Sequence, residues 1–456
     1  MTNDRGSWGS RPGFILAATG SAVGLGNIWG FPTQVGQGGG AAFVLIYLIA
    51  VIFICAPILL GEVLVGRYAQ LGPAGAVRRI SPSGPWWVIG LLAVAAGTFI
   101  LSFYAVIAGW TVQYLWLAVT DGLAADAEGS GALFGAVSAN PIRNVLFTGL
   151  FLVATAWCVN RGIRRGIEAA SRLMMPLLFV LLLILAIRSV TLPGAAEGLA
   201  YYLRPDLSQA LNPEIIGAAV GQAFFSLSLG MGALITYGSY LHRSHAVRSA
   251  SIAIVGIDTT IALLAGFIIF PAGFSIASFS SGSTFDPTAG GPGLIFAVLP
   301  QLFATLPGGL LFGAAFFLLL SVAAFTSTIS LLEVPVAHAI DQWRWPRSKA
   351  VLAVAAFTFA FSIPSVLSFS GGFFSELPAV GGTFFDLMVN VWNEGALPLG
   401  GMLISLFIGW RWGARFAGDE LRRDGPGFPS PALWGFLIRF VSPAAIFLLI
   451  VSRFVL

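Results

Sequence analysis

Long apolar runs constrain this chain more than any single motif. Residues 42–66 read AFVLIYLIAVIFICAPILLGEVLVG, and residues 173–187 read LMMPLLFVLLLILAI. A helix needs about 20 apolar residues to cross a bilayer, and stretches like these recur along the whole chain. They are continuous rather than alternating, which excludes a transmembrane barrel. Only 9% of residues are charged, against about 25% in a soluble domain. A globular soluble protein of 456 residues could not cover its core with so little polar surface. Two cysteines exclude a disulfide scaffold, and the aromatic and branched content excludes disorder. The reading is an all-α polytopic membrane protein.

Eleven transmembrane helices are expected, at roughly 12–36, 41–66, 86–118, 142–159, 168–187, 213–240, 250–271, 308–338, 348–366, 384–409 and 434–455. The polar start, MTNDRGSWGSRPG, carries no cleavable signal, so the first apolar segment is expected to be retained. With the N-terminus in the cytoplasm, every basic residue falls on the inside except Arg143, Arg188, Arg204 and Arg453. The positive-inside rule therefore sets that orientation, and an odd number of spans leaves the C-terminus outside. A net charge of +4 does not indicate nucleic-acid binding. Lipid is the expected surroundings.

Two spans break the helix rules. Span one contains GSAVGLGN, with Gly20, Gly24 and Gly26, and span six contains SLSLGMGAL, with Gly230 and Gly232. Each glycine weakens a helix interior by about 1 kcal/mol relative to alanine, and several within a turn invite unwinding. Unwound backbone survives in a membrane only where protein or a water-filled cavity satisfies it. The breaks fall at matching places in two five-span halves, about 11–187 and 213–410, with an extra helix at 434–455. That is the pattern of a 5+5 inverted repeat with a site at the midplane. The plainer alternative is close helix packing by small residues.

At these residues the sequence resembles the neurotransmitter:sodium symporter family, also called the solute carrier 6 type, in its bacterial amino-acid branch. The resemblance runs through RPGFILAATGSAVGLGNIWGFP, GEVLVGRY, SFYAVIAGW, GQAFFSLSLGMGALITYGSY and AAFTSTISLLEVPVA, and so covers essentially the whole chain. It implies a sodium-coupled symporter that imports hydrophobic aliphatic or aromatic L-amino acids by alternating access, and not an enzyme. It implies two sodium ions and no organic cofactor. Many relatives have twelve spans; this chain stops after eleven.

The resemblance places one sodium, the second site, at the carbonyls of Gly20, Val23 and Ala323 and the hydroxyls of Thr326 and Ser327. Sodium is a hard cation that takes oxygen ligands, and two adjacent hydroxyls in an apolar helix suit it. Those hydroxyls could instead bond back to their own helix. The first site matches Ala22, Asn27, Ser226 and Asp258. Many relatives have asparagine where this chain has Asp258, and chloride-dependent ones have a hydroxyl where it has Ala262. An acid inside a membrane is costly and points to function. Asp258 could supply the charge that chloride supplies elsewhere, or sit protonated in a structural hydrogen bond.

Substrate is expected at the same breaks. Free N–H groups near Gly24 and Gly26 and the hydroxyl of Tyr104 suit a carboxylate. Carbonyls around Ala22, Phe225, Ser226 and Thr326 suit an ammonium. Ile100, Phe225, Ser228, Met231, Thr328 and Leu331 would line a mostly apolar side-chain pocket, with Met231 adaptable in shape.

For gating, the family's outer Arg–Asp pair falls on Gly30 and Val389, so outer closure is expected to use aromatics such as Tyr104 and Phe225; Glu394 and Asp386 are unassigned. The inner gate would comprise Arg5, Asp341, the hydroxyl of Tyr240 and Trp8 as plug. Gly166 and Pro176 could let the inner end of span five unwind, or fix a static kink. Glu62 is expected to accept from the broken backbones of spans one and six. Glu333 is the leading candidate if protons participate, and a proton-coupled carrier using Glu333 or Asp258 is the alternative; a non-transporting sensor on the same fold is another. His242, His245 and His338 make no metal site with Cys55 and Cys158, and no Walker, zinc or nucleophile motif appears. A monomer or weak homo-oligomer is expected.

Overall fold

A computed structural model describes residues 6–120, 122–124, 126–206, 208, 211–276, 285–288, 293–305, 308–378, 381–425, 427 and 429–455. Among these the architecture is all-helical, and the sole β feature is an isolated bridge between Leu377 and Gly382. Nine continuous helices are long and apolar enough to cross a membrane: Ala41–Ala69, Trp87–Val119, Pro141–Asn160, Ile163–Val190, Val247–Phe274, Gly309–Trp343, Arg347–Leu367, Phe384–Arg422 and Pro431–Val451. A tenth span is the pair Arg11–Ala22 and Gly26–Gln37, bent by 50°. Pro213–Ser226 and Ala233–Ser239 form a further pair, separated by Leu227–Gly232.

The surface matches the composition. Trp116, Ile142, Leu150, Val153 and Leu173 all point outward and are exposed. Water would not tolerate so many large apolar groups, whereas lipid solvates them. Polar residues turn inward instead: Asn27, Glu62, Asp258 and Glu333 are at most 1% exposed. Among the described residues, this is a multi-pass membrane protein with polar residues buried between its helices.

The local sequence explains the breaks. Ser10 caps the first helix by accepting from Gly13 N at 3.0 Å, and a proline follows within its first turn, where no N–H is missed. That helix ends at Val23, whose backbone is extended (φ −71°, ψ 105°). In span six, Ser228, Gly230 and Gly232 have φ of 53°, 79° and 75°. Left-handed backbone cannot continue a right-handed helix, so this run ends one helix and Gly232 caps the next.

Span one lies against the helices of spans five, seven and eight, and Ala233–Ser239 lies against span two. The last contact is close: a Cβ on Gly238 would meet the Val63 carbonyl at 2.6 Å. Short helices absent from the eleven-span reading also appear, at Pro73–Ile80, Ala127–Ser138, Ala195–Leu203 and Leu299–Thr305. At one end of the bundle, buried Arg67 binds Asp424 at 2.6 Å and the His245 carbonyl at 2.8 Å. Asp424 Oδ2 in turn accepts from the N–H groups of Val247 and Arg248, both at 2.8 Å. This ties the segment after span ten to the ends of spans two and seven.

Candidate functional site

Unwinding frees backbone groups, and side chains take them up. Gly24 N donates to Asn27 Oδ1 at 3.2 Å, and Leu25 N to the Tyr104 hydroxyl at 2.9 Å. Gln222 Nε2 donates to the Gly26 carbonyl at 2.7 Å, and Ser228 Oγ to the Ser21 carbonyl at 2.8 Å. Gly230 N donates to Glu62 Oε1 at 2.8 Å. The expected role of Glu62 is thus found on span six; the described hydrogen bonds show none to span one. Its second oxygen, Oε2, is buried with no hydrogen-bond partner among the described residues.

Three of the four residues expected at the first ion position form one cluster. Asn27 Nδ2 donates to Asp258 Oδ1 at 2.8 Å and to Ser226 Oγ at 2.9 Å. Ser226 Oγ lies 2.9 Å from Asp258 Oδ2, and the Tyr47 hydroxyl 3.2 Å from Ser226 Oγ. Among the described residues, Asp258 has no basic partner. A buried carboxylate held only by neutral donors is a suitable counter-charge for a cation. Ala22, the fourth, lines the neighbouring cavity.

At the second position, Thr326 Oγ1 is 3.4 Å from the Val23 carbonyl and 3.0 Å from the Ala323 carbonyl. Ser327 Oγ is 3.4 Å from the carbonyls of both Ser21 and Val23. Gly20 lets the spans approach, since a Cβ there would lie 3.2 Å from Thr326 Cβ. The bond from Thr326 back to its own helix, the plainer alternative, is present beside the contacts to span one. Together these atoms form a neutral oxygen set of the kind hard monovalent cations take.

Between the two positions lies a cavity lined by Ala22, Gly24, Gly26, Ile100, Tyr104, Phe225, Ser228, Met231 and Leu331, joined by Ser21 and Ser327. Gly24 faces polar groups: a Cβ there would collide with Ser327 Oγ and lie 2.7 Å from the Tyr104 hydroxyl. Gly26 faces the Phe225 ring, 2.9 Å from where its Cβ would be. Ser226 and Thr326 do not line this cavity and contribute to the ion clusters instead. Thr328 is also outside it, its hydroxyl 3.0 Å from that of Thr155 on span four. The cavity volume is only about 20 Å³, little more than the 10–15 Å³ one water needs. An amino acid enters only if the lining moves.

Arg5 lies outside the described residues. Trp8, its expected companion, is 6% exposed. It donates from Nε1 to the Tyr237 carbonyl at 2.9 Å and packs edge-on against Phe14, Tyr237 and Tyr240. Asp341 Oδ2 accepts from Gly72 N at 2.7 Å. The Tyr240 hydroxyl donates to Glu333 Oε1 at 2.5 Å, and Glu333 is ion-paired with Arg347. Through these contacts Glu333 links spans six, eight and nine. At span five, Ile163–Glu168 forms a π-helical turn, and Glu168 accepts from Gly9 N at 2.6 Å.

At the positions expected for the outer gate, Gly30 closes a π-helical turn beside the Gln222 carboxamide. Val389 opens another that also contains Glu394, while Asp386 belongs to a capping box with Thr383. Aromatic pairs join spans three and ten here. Phe99 stacks on Trp392 at 4.5 Å between centroids, and Phe103 meets Phe385 at 5.7 Å. Sequence reasoning missed Tyr47, Ser21, Gln222 and Arg347. Tyr47 sits in a uniform apolar run and gives no signal; Arg347 stands out only as a charge at the start of span nine.

Interrupted helices that gather hydroxyls, carbonyls and a lone carboxylate around a central cavity define an ion-coupled secondary transporter, not an enzyme. The chain belongs to the sodium:neurotransmitter symporter family, whose profile matches residues 5–129 and 138–456. It is 37% identical to the uncharacterized sodium-dependent transporter YhdH of Bacillus subtilis, over 98% of this chain and 97% of that one. It is 28% identical to a sodium-dependent serotonin transporter of Drosophila melanogaster, over 99% of this chain and 76% of that one. Among solved structures, MhsT in complex with L-phenylalanine matches with a TM-score of 0.90 and 46% identity, covering 98% of this chain and 99% of that one.

Proposed function

We propose that this protein couples sodium entry to the import of hydrophobic L-amino acids, without requiring chloride. The observation that carries the reading is the central cavity's two-ended lining. Its polar end offers the backbone around Gly24 and Gly26 and the Tyr104 hydroxyl, which suit a carboxylate. Its other end, with Ile100, Phe225, Met231 and Leu331, is apolar. The L-phenylalanine named with MhsT supports the same class of substrate. Two sodium ions would sit at the Asn27–Ser226–Asp258 cluster and at the Gly20–Val23–Ala323–Thr326–Ser327 set. Asp258, with Ala262 nearby on its helix, stands in for an anion.

Counting the pair Pro213–Ser226 and Ala233–Ser239 as one interrupted crossing gives eleven spans. The halves about 11–187 and 213–410 would then rock against each other as inverted repeats, with 434–455 outside the repeat. Trp8, Tyr240, Asp341 and Arg5 would close the inner side. The aromatic pairs between spans three and ten would close the outer side in place of the Arg–Asp gate missing at Gly30 and Val389. The protein would sit in the bacterial inner membrane with its N-terminus in the cytoplasm, as a monomer or weak homo-oligomer.

A competition series tests the substrate class. Leaving a charged group unpaired costs more than about 1–3 kcal/mol, so tryptamine should bind at least about tenfold more weakly than tryptophan. Leucine, valine, phenylalanine and tryptophan should all compete, and glutamate and lysine should not. Equal binding of amine and amino acid, or glutamate displacing leucine, would defeat the assignment.

A further inference from the structure

Away from the central site, a groove of about 710 Å³ lies on the lipid-facing surface, between Pro141–Asn160 of span four and Arg347–Leu367 of span nine. That volume lies within the range of about 300–1,000 Å³ typical of small-molecule sites. Buried Leu152 and Val351 line it together with the small residues Gly149, Ala156, Ala355 and Ala356. Any lipid-facing helix is apolar, so apolarity alone marks nothing. The hollow between two helices is a different matter, because bilayer chains must fill it.

The two helices run in opposite directions, and the groove reaches the same end of each. Trp157 and Asn160 close span four there, Ser348 opens span nine, and all three line the groove. The ends are joined by Arg347 Nε, which donates to the Val159 carbonyl at 2.8 Å. Arg347 itself is spent on Glu333. Two further cations flank this end and have no acidic partner among the described residues. Arg161 lies over the Trp157 ring at 4.5 Å, and Lys349 over the Trp345 ring at 4.5 Å. Both are exposed. Tryptophans at this level are typical of a membrane interface, and basic pockets between spans at the basic end bind anionic head groups.

We infer that this groove holds an anionic glycerophospholipid, one acyl chain between spans four and nine and its phosphate between Arg161 and Lys349. A second copy of the chain is a poorer occupant. A two-fold contact across this face would bring the Arg161 and Lys349 cations of both copies towards each other with no acid between them, and like charges across an interface oppose association. The occupant that complements both an apolar hollow and two unpaired cations is a lipid with a negative head.

The test is native mass spectrometry and thermal unfolding of the full-length protein in a neutral detergent, titrated with phosphatidylglycerol or phosphatidylcholine of the same chains. Phosphatidylglycerol should bind preferentially and raise the melting temperature more. The Arg161→Gln/Lys349→Gln variant should lose that preference while keeping its response to phosphatidylcholine. Arg415→Gln, which removes an exposed basic residue elsewhere, should keep the preference. Ala356→Trp, which fills the groove, should reduce binding of both lipids. Equal binding of the two lipids by the unaltered protein, or a preference that survives the double substitution, would overturn the assignment. So would an equal stabilisation by inorganic phosphate, which would make the site one for a free anion. A dimer that Ala356→Trp converts to monomer would show that a second copy covers this face.

Discussion

Asp258→Asn changes one atom for another of nearly the same size and removes one charge. In the structure both carboxylate oxygens are used, Oδ1 by Asn27 Nδ2 at 2.8 Å and Oδ2 by Ser226 Oγ at 2.9 Å. The amide keeps one acceptor and presents an NH2 group in place of the other, so one charge-assisted contact is lost. The serine hydroxyl can reverse its role and accept, which limits damage to the fold. A hydrogen bond to a charged group contributes about 1.5–3 kcal/mol. The sodium concentration for half-maximal substrate binding should therefore rise about 10- to 100-fold, at about 1.4 kcal/mol per tenfold. The assay is scintillation-proximity binding of labelled substrate against sodium, in chloride and in gluconate. The unaltered protein should give the same curve in both salts. Asp258→Asn should give a right-shifted curve, and adding Ala262→Ser should make that curve respond to chloride. A variant curve within twofold of the original, with the protein still folded, would refute the role given to Asp258. Loss of binding by the unaltered protein in gluconate would refute chloride independence.

Two other variants probe the second ion position and the break in span six. Thr326→Ala with Ser327→Ala removes both hydroxyls of the second ion position and should abolish sodium-dependent uptake while leaving a folded protein; unchanged uptake would remove that position. Gly230→Ala places a Cβ against the Leu397 carbonyl at a φ of 79°, where left-handed backbone costs about 1–2 kcal/mol before any clash. It should lower the melting temperature by several degrees, whereas Gly221→Ala, with open space at its Cβ, should not. Equal melting temperatures for the two would mean that the break in span six is not held in this geometry.

How much of this was legible in the sequence follows from what each feature depends on. The spans were readable because lipid imposes a length and an apolarity on each one. Their ends were less so. Gly309–Trp343 and Phe384–Arg422 run past the apolar stretches, since a helix continues into the interface wherever its caps allow. The breaks at Gly24 and Gly230 were legible because clustered glycines signal the backbone freedom they supply. The convergence of Asn27, Ser226 and Asp258 was not readable from spacing, as they lie on three helices; the family resemblance brought them together. Tyr47 stayed hidden because an inward-facing tyrosine in a buried run looks like packing. Thr328 neighbours the cavity residue Ser327 in sequence, but helical rotation carries its hydroxyl towards Thr155 on span four. The ion pair of Glu333 with Arg347 joins two spans across a loop, and nothing local in either span announces it.

The central claim is that a sodium gradient drives this protein to accumulate hydrophobic amino acids. Reconstitution into proteoliposomes, with sodium and proton gradients imposed separately, tests it most directly. An inward sodium gradient alone should concentrate labelled leucine or phenylalanine inside the vesicles, equally well with gluconate in place of chloride. A proton gradient alone should not. Accumulation driven by protons without sodium, or sodium-dependent binding with no accumulation under any gradient, would contradict the account.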